Sequence, residues 1–510
     1  MLSRIKKILF SRAFFFGSLL LLQIILISFL FLALSQQGAA IYATLTVLSA
    51  FVVLWLFSGD LSPSYKMIWG LLIFIFPLLG CFYFLLWNRI KMPRRLQRSF
   101  LRIYQLTHDV NPQSPQVMEE LKLLCPHLSC QAQQLLNSSQ APVHYCYNPK
   151  YFPLGELWFE DMMAQLAKAE SFIFMEFFII GPGQVMNRLL DLLEAKVKAG
   201  VEVKFLYDDI GSIFIVPPGY LQSIRSRGID ARLFNPITPF LDGFINSRDH
   251  RKIVIIDGQM AYTGGCNLAD EYINAKVRFG HWKDTMVRLE GPGVWSLTLL
   301  FLQAWDFTTD SRPDYLSYKR DFPLAAKDKI GYVQPFGSNP MMKGSAQNAY
   351  MQIINRATRY VYITTPYLIL DEELKEALCL AAVSGVDVRI ITPAIPDKKT
   401  VFMLTQSYYP PLVQAGVKIY EYTPGFIHAK MFVSDDLVAV VGTANLDFRS
   451  LYLHFECCAE FYGGPIVREV KEDFLNTQAV SHLITSQDLH AVPAYKRLAQ
   501  AILRLLAPLF

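Results

Sequence analysis

The strongest constraint on the fold of this chain is a stretch that occurs twice. The first copy, SRDHRKIVIIDGQMAYTGGCN, covers residues 247–267, and the second, GFIHAKMFVSDDLVAVVGTAN, covers residues 425–445. In both copies a lysine follows the histidine by two residues, an aspartate by seven and an asparagine by seventeen. A chain that repeats a pattern so closely is expected to fold as two similar units.

The sequence that precedes each copy repeats as well. Stretches typical of strands alternate with stretches typical of helices, an arrangement that predicts an α/β fold. Several helical stretches end at a glycine, the usual left-handed terminator of a helix, and the next strand begins at once: Gly200, Gly228, Gly385 and Gly416. We therefore expect two pseudo-symmetric α/β repeats, at 151–330 and 331–510, that form one catalytic body behind a connector at 96–150.

The histidine and the lysine of each copy are expected to act together. Alternate side chains of an extended strand share a face, so His250 and Lys252 project together while Arg251 points the other way. Asp257 lies too far along the strand to reach His250, and the obvious source of a group that orients the imidazole is the opposite repeat. A single His-x-Lys is commonly a solvated strand edge. Two copies within apolar strands favour a functional site, because burying unpaired charge is costly.

Two histidines, two lysines and two asparagines suit phosphoryl transfer through a covalent intermediate. One neutral histidine would attack phosphorus, and the other, protonated, would donate to the departing alkoxide. The lysines and the amides of Asn267 and Asn445 would hold the non-bridging oxygens. The site needs no metal or other cofactor for this chemistry, and the eight cysteines follow no disulfide or zinc spacing.

The first ninety-five residues hold most of the apolar surplus behind the mean hydropathy of +0.26. They contain three apolar runs, each long enough as a helix to cross about 30 Å of hydrocarbon: residues near 13–35, 41–58 and 67–87. The first run is longer than the apolar part of a signal peptide, and a second follows at once. Residues 1–95 are therefore predicted to be a transmembrane helical anchor with two to three segments, which makes the chain an integral membrane protein.

Basic clusters flank this anchor at residues 1–12 and 88–102. The positive-inside rule would place both clusters in the cytoplasm, which needs an even number of crossings. Either the third run does not cross fully, or the second cluster lies outside against anionic headgroups. Residues 1–102 hold eleven Lys and Arg and one acidic residue, so the rest of the chain is net acidic. An acidic body argues against a nucleic-acid partner, while the basic collar suits anionic membrane lipid.

The paired stretches HRKIVIID…GGCN and HAKMFVSD…GTAN resemble the duplicated H-x-K-x4-D motifs of the phospholipase D superfamily. The surrounding sequence resembles the bacterial cardiolipin synthases over nearly the whole chain. The similar segments are VKFLYDDIGS (203–212), GGCNLADEYI (264–273), KDTMVRLEGPGV (283–294), GTANLDFRS…FE (442–456), SPSYKMIWGLLIFIFPLLG (62–80) and the final LRLLAPLF.

This resemblance implies a reversible transfer of a phosphatidyl group between two phosphatidylglycerol molecules, giving cardiolipin and glycerol through a phosphatidyl-histidine intermediate. It also implies a multi-pass protein of the bacterial plasma (inner) membrane. By analogy with the superfamily, His250 would be the nucleophile and His428 the acid and base. The catalytic residues that carry over from the motif are His250, Lys252, Asp257, His428, Lys430 and Asp435.

Several residues have two open interpretations. Glu176 and Glu456 would either orient the motif histidines near the substrate or pair with neighbouring bases. Asp208 with Asp209 would be either a metal pair, or a helix cap or loop salt bridge just beyond the strand. Trp282, Tyr408 and Tyr409 would line an acyl entrance or simply pack.

The C-terminal helix would lie at the membrane interface or dock on its own domain. The main functional alternative is a membrane-bound phospholipase D, or a phosphatidyltransferase that uses water or another alcohol as acceptor. A nucleic-acid phosphodiesterase and a non-catalytic lipid-binding relic are further alternatives.

Overall fold

The computed structural model describes residues 25, 29, 35–59, 63–87, 94–237, 246–309, 314–322, 328–341 and 344–510. The described residues up to Trp87 belong to one unit, and those from Arg94 onward belong to a second, much larger one. The first predicted membrane run, 13–35, lies outside the described residues except for positions 25, 29 and 35.

The described part of the first unit consists of three helices: Ser35–Ser58 (α1), Pro63–Ile75 (α2) and Pro77–Trp87 (α3). They pack around a small core that includes Trp69 and Phe84. The third predicted run is split between α2 and α3, since a proline disfavours helical geometry at the residue before it. Large apolar side chains remain exposed on these helices, with Phe74 82% exposed. Among the described helices, none combines the length and the apolarity that crossing a bilayer demands.

The larger unit is built on one mixed sheet, to which fifteen of the described strands belong. The bounds of these strands are His144–Phe152 (β1), Phe172–Phe177 (β2), Glu202–Asp208 (β3), Asp230–Phe234 (β4), Ile253–Ile256 (β5), Met260–Gly264 (β6), Met286–Glu290 (β8), Gly331–Ser338 (β9), Tyr360–Thr364 (β10), Asp387–Pro393 (β11), Lys418–Tyr422 (β12), Met431–Ser434 (β14), Val438–Gly442 (β15), Glu456–Tyr462 (β16) and Ser481–Leu483 (β17). Two short strands, His281–Lys283 (β7) and Gly425–Ile427 (β13), pair separately.

The order of the strands confirms the predicted pair of pseudo-symmetric α/β repeats. From the central β1–β9 pair, one side runs β8, β6, β5, β2, β3, β4, and the other runs β16, β15, β14, β10, β11, β12 before β17 extends it. The motif strands β5 and β14 hold equivalent places, and every residue of both is buried. Gly200 and Gly385 end equivalent helices with φ of +90° and +94°, so the left-handed terminators also match the prediction.

Helices connect the strands of the larger unit. Their bounds are Arg94–Asp109 (α4), Pro115–Leu124 (α5), Pro126–Ser139 (α6), Gly155–Leu166 (α7), Gln184–Lys198 (α8), Asp209–Ser212 (α9), Tyr220–Arg225 (α10), Gly293–Thr309 (α11), Ser345–Arg356 (α12), Glu372–Val383 (α13), Lys399–Gln406 (α14), Tyr409–Gln414 (α15), Phe448–Tyr452 (α16), Pro465–Ala479 (α17), Ser486–His490 (α18) and Ala494–Leu505 (α19).

The predicted connector at 96–150 contains more of the fold than expected. Its last part is β1, which pairs antiparallel with β8 of the first repeat and with β9 of the second. The polar residues of the stretch Tyr147–Lys150 interrupt the alternation that would have predicted this strand. The register between β1 and β8 shifts at the same place. The central strand pair that joins the two repeats therefore begins before residue 151.

The motif aspartates Asp257 and Asp435 lie at the end of their strands away from the histidines. Asp257 accepts hydrogen bonds from the backbone N–H groups of Glu170, Ser171 and Phe172, at 2.7 to 2.9 Å. Asp435 does the same for Thr358, Arg359 and Tyr360. The assignment of both aspartates to the catalytic group stays a prediction, and these contacts are structural ones. Each aspartate ties the end of a motif strand to the start of the neighbouring antiparallel strand, β2 or β10.

We predict that Asp435→Ala destabilises the fold without removing the chemistry of the site. Three backbone donors lose their acceptor, which should cost roughly 3 kcal/mol of unfolding free energy. The thermal midpoint of the purified protein measures this loss, and Asp191→Ala, at a side chain that is 72% exposed, is the control. An unchanged midpoint together with complete loss of turnover would instead show that Asp435 takes part directly in the reaction.

Candidate active site

Each motif histidine lies against a segment of the opposite repeat. The backbone N–H of His250 donates to the carbonyl of Phe455 at 2.9 Å, and the N–H of Phe455 donates to Arg248 at 2.8 Å. The second repeat mirrors this contact, because β13 pairs with β7 of the first repeat and the N–H of His428 donates to Lys283 at 2.7 Å. Both segments that receive a histidine end in a carboxylate, Asp284 or Glu456.

These carboxylates orient the two imidazoles. His250 Nδ1 lies 2.9 and 3.0 Å from the carboxylate oxygens of Glu456, and His428 Nδ1 lies 2.6 Å from Oδ2 of Asp284. The expectation that the opposite repeat supplies the orienting group is confirmed. An ionised carboxylate can only accept, so Nδ1 carries the proton and Nε2 keeps its lone pair for the reaction.

The glycine and the threonine that follow the motif strands fit these two carboxylates. A Cβ at Gly265 would lie 1.9 Å from Oδ1 of Asp284, so only glycine leaves room for that aspartate. The equivalent residue in the second repeat is Thr443, whose hydroxyl donates to Glu456, as does the hydroxyl of Ser450. The shorter side chain of Asp284 therefore lies against a glycine, and the longer side chain of Glu456 against a threonine that donates to it.

Glu456 combines burial with several donors. Burial raises its pKa to about 8, and the Lys252 ammonium and the hydroxyls of Ser450 and Thr443 oppose that rise. Burial alone would favour the protonated form, but the nearby Lys252 ammonium and the donors of His250, Ser450 and Thr443 all favour the ionised form, which we take as the state that orients His250.

Lys252 and Lys430 are buried beside the histidines. Each ammonium donates to the carbonyl oxygen of its own motif histidine. Burial lowers the pKa of Lys252 to about 8 and that of Lys430 to about 7, while Glu456 and Asp284 oppose the shift. Lys252 therefore supplies positive charge at the free site up to mildly alkaline pH, and Lys430 only up to about neutral pH.

Both imidazoles are neutral in the free site at neutral pH. Burial, reinforced by Lys252, holds the pKa of His250 well below its usual range. Burial and Lys430 lower the pKa of His428 to about 4, although Asp284 opposes the shift. A neutral imidazole is the form that a nucleophile requires.

A third histidine, His454, was missed by the sequence analysis. Its ring centroid lies 5.7 Å from that of His250, and its Nδ1 is buried without a hydrogen-bond partner among the described residues. Trp282 takes the equivalent place two residues before Asp284, with its ring 5.5 Å from that of His428. Asp284 was also missed as a functional residue. One indication of its role lay in the sequence: Asp284 follows β6, the strand after the first motif strand, just as Glu456 follows β15 after the second.

The remaining predicted site residues have mixed positions. Asn267 is buried, with its Oδ1 accepting from the Ile179 N–H and its amide donating to the Tyr272 hydroxyl. Asn445 is buried too, and its Oδ1 has no partner among the described residues. Glu176 does not orient a histidine: its carboxylate lies 2.8 Å from the Arg251 guanidinium, which points away from the site as predicted.

Asp208 is a helix cap rather than a metal ligand. It accepts from the Gly211 N–H at the start of α9 and from the Asp249 N–H just before His250. Burial raises its pKa to about 7, and Arg248 opposes that rise.

Tyr408 and Tyr409 are buried in the body. Trp282 is also buried, in the cluster beside His428. The C-terminal helix α19 contacts α14 and keeps Leu498 and Ile502 exposed.

One group of described residues has the geometry to hold a metal ion. Ligand atoms of His250, His454 and Glu456 lie within 4.8 Å of one another. Two of these groups already bond to each other, so a cation would have to displace the proton that orients His250. Phosphoryl transfer assisted by the two histidines can proceed at this site without a metal ion bound to these three groups.

The chain is similar to a set of known proteins over most of its length. A family model described as cardiolipin synthase, phospholipase D-like domain, matches residues 162–278 and 350–477. A protein named cardiolipin synthase from Geobacillus kaustophilus is 35% identical, over 90% of this chain and 91% of its own length. Another of that name from Halalkalibacterium halodurans is 31% identical, over 96% and 99%. An uncharacterized protein of Streptococcus mutans is 43% identical, over 90% and 99%.

Among solved structures, the crystal structure of phosphatidylserine synthase from Haemophilus influenzae superposes with a TM-score of 0.58. The match covers 74% of this chain and 97% of that one, at 13% sequence identity. At that identity the similarity establishes the fold.

We predict that Glu456→Gln and Asp284→Asn each lower phosphodiester turnover by at least about 100-fold, because the imidazole loses its fixed tautomer and orientation. The effect should fall on kcat, with KM changing little. Glu460→Gln is the matched control, since Glu460 is a buried carboxylate on the same strand that contacts Gln131 rather than a histidine. Turnover within about threefold of the unmodified protein in either site variant would contradict the orienting role.

Proposed function

Because the chain belongs to the phospholipase D-like cardiolipin synthase family, we propose that it is a phosphatidyltransferase that makes cardiolipin. One phosphatidylglycerol donates its phosphatidyl group, and the terminal glycerol hydroxyl of a second accepts it, with glycerol as the other product. The observation that carries the proposal is the crossed pairing of His250 with Glu456 and of His428 with Asp284.

In the first step, Nε2 of His250 attacks phosphorus of the donor lipid and forms a phosphorus–nitrogen bond. The bond from phosphorus to the glycerol oxygen breaks, and His428 transfers a proton to that oxygen, so glycerol leaves. His428 has to be protonated at this stage. An anionic phosphate bound beside it raises the pKa of the imidazole, because an opposite charge favours the charged form.

In the second step, His428 takes the proton from the terminal hydroxyl of the acceptor lipid. The hydroxyl oxygen attacks phosphorus, the phosphorus–nitrogen bond breaks, and cardiolipin is released with His250 restored. Both steps involve similar phosphate esters, so the reaction is reversible.

Lys252 and Lys430 stabilise the charge on the non-bridging oxygens of the pentavalent state. Asn445 is proposed as a substrate ligand, since its Oδ1 has no partner within the described part of the chain and can accept from a glycerol hydroxyl. The amide of Asn267 is already bonded within the protein, so we propose that it shapes the wall of the phosphate site.

We also propose that the protein is an integral, multi-pass protein of the bacterial plasma membrane, anchored through residues 1–95. The apolar runs of the sequence support this, as do the exposed apolar side chains of α1 to α3. A substrate with two acyl chains is itself confined to that membrane.

The product assay is the direct test. Full-length protein reconstituted in phosphatidylglycerol nanodiscs should yield cardiolipin and glycerol in equal amounts, followed by mass spectrometry. His250→Ala and His428→Ala should each abolish turnover, a loss of at least about 1,000-fold, while the thermal midpoint is retained.

The other outcomes of this assay separate the alternatives. Phosphatidic acid with glycerol would mean that water is the acceptor, and the protein would then be a phospholipase D. Turnover that survives in either alanine variant would contradict the two-histidine mechanism.

The pH dependence follows from the lysines. Their lowered pKa values mean that the free site loses charge as the pH rises through about 7 to 8, so kcat/KM should fall there. Lys430→Arg should lower the overall rate but move this fall in kcat/KM, the alkaline limb of the pH profile, to higher pH, because a guanidinium stays charged. A limb that is unchanged in Lys430→Arg would exclude Lys430 as its origin. Thermal midpoints across the range control for unfolding.

A further inference from the structure

The loops around the active site carry exposed apolar side chains. Ile213, Phe214 and Ile215 follow α9 and are 39%, 83% and 42% exposed, Val277 is 77% exposed, and Ile395 is 40% exposed. We call residues 213–215, 276–278 and 395–399 the rim. Exposed large apolar residues that cluster at a functional site mark a surface that contacts something apolar.

The first rim segment starts from the wall beside His250. The Ser212 hydroxyl accepts from the Ile180 N–H and donates to the Phe178 carbonyl. The ring of Phe178 lies 4.9 Å from that of His250. Phe214 follows Ser212 by only two residues, so its exposed side chain starts close to this wall of the site.

The other rim segments lie on the His428 side. A Cβ at Gly280 would meet Ile395 at 3.2 Å, so the loops that carry Val277 and Ile395 touch. Lys398 lies 5.4 Å over the ring of Tyr367, which packs against the cluster around Trp282. Burial holds the pKa of His454 well below its usual range, and Lys398 adds to this shift after Arg449, Lys252 and Arg248.

The charge of the rim is positive at its surface. Lys276 and Lys399 are exposed and have no ion pair among the described residues, and Lys398, 3.8 Å from the carboxylate of Asp397, keeps a side chain that is 64% exposed. The neighbouring carboxylates are engaged within the protein. Asp397 accepts from the Tyr367 hydroxyl, and Asp209 accepts from the Ile237 N–H.

We propose that the rim docks onto the anionic surface of a lipid bilayer, with the 213–215 segment inserted among the headgroups and the lysines bound to their phosphates. This inference rests on the proposed function and adds the surface through which the site meets its substrate. Apolar tips flanked by Lys and Arg suit the membrane interface, where each cation near an anionic surface contributes about 1 kcal/mol. Docking there brings a headgroup to the histidines while its acyl chains stay in the membrane.

The test compares one substrate chemistry in two physical forms. Full-length protein in phosphatidylcholine nanodiscs is given either long-chain phosphatidylglycerol within the disc or dihexanoyl phosphatidylglycerol as monomers in solution. Phe214→Ser, and Lys398→Glu combined with Lys399→Glu, should each lower the ratio of disc to monomer turnover by at least about fivefold. Added salt should lower the disc turnover of the unmodified protein more than that of the lysine variant.

Val383→Ser and Lys168→Glu are the matched controls. Both residues are exposed. Lys168 lies just before β2 and Val383 just before β11, at the amino-terminal ends of these strands and away from the site. They should leave the ratio unchanged. Equal losses on both substrates, or none, in the rim variants would overturn the docking proposal. If the unmodified protein makes cardiolipin from neither substrate, the proposed function fails instead.

Discussion

The active site depends on a contact that neither repeat can make alone. Each motif histidine is oriented by a carboxylate from the other repeat. A backbone hydrogen bond beside it holds the two segments of the chain in register. The central β1–β9 pair and the short β7–β13 pair keep these segments together. Burial then depresses the pKa values of both histidines and both lysines, so packing between the repeats sets the protonation states as well as the geometry.

The two repeats share one backbone arrangement, but the side chains around their histidines differ. Where Trp282 covers His428, His454 lies beside His250, and where Gly265 leaves space, Thr443 donates a hydrogen bond. In a fully symmetric site, only the orientation of the bound substrate would distinguish the two histidines. These differences give His250 and His428 distinct environments, which agrees with one acting as nucleophile and the other as acid and base.

Much of this could be predicted from the sequence, because duplication and hydrophobic patterning are both local signals. The strands, the helix-ending glycines and the origin of the orienting groups in the opposite repeat all followed from spacing. The motif resemblance groups Asp257 and Asp435 with the catalytic residues, but a strand rises about 3.3 Å per residue and carries both aspartates to its far end. Asp284 and His454 were missed because only the folded interface brings them to the histidines.

The crossed carboxylates also bear on how such a protein arose. A single ancestral repeat would have carried its histidine and its carboxylate on one chain but could not have brought them together. It would have had to meet a second copy of itself, so the site implies a symmetric homodimer before the gene was duplicated and fused. Once fused, the halves were free to diverge, and the pair His454 and Trp282 records that divergence in a single chain.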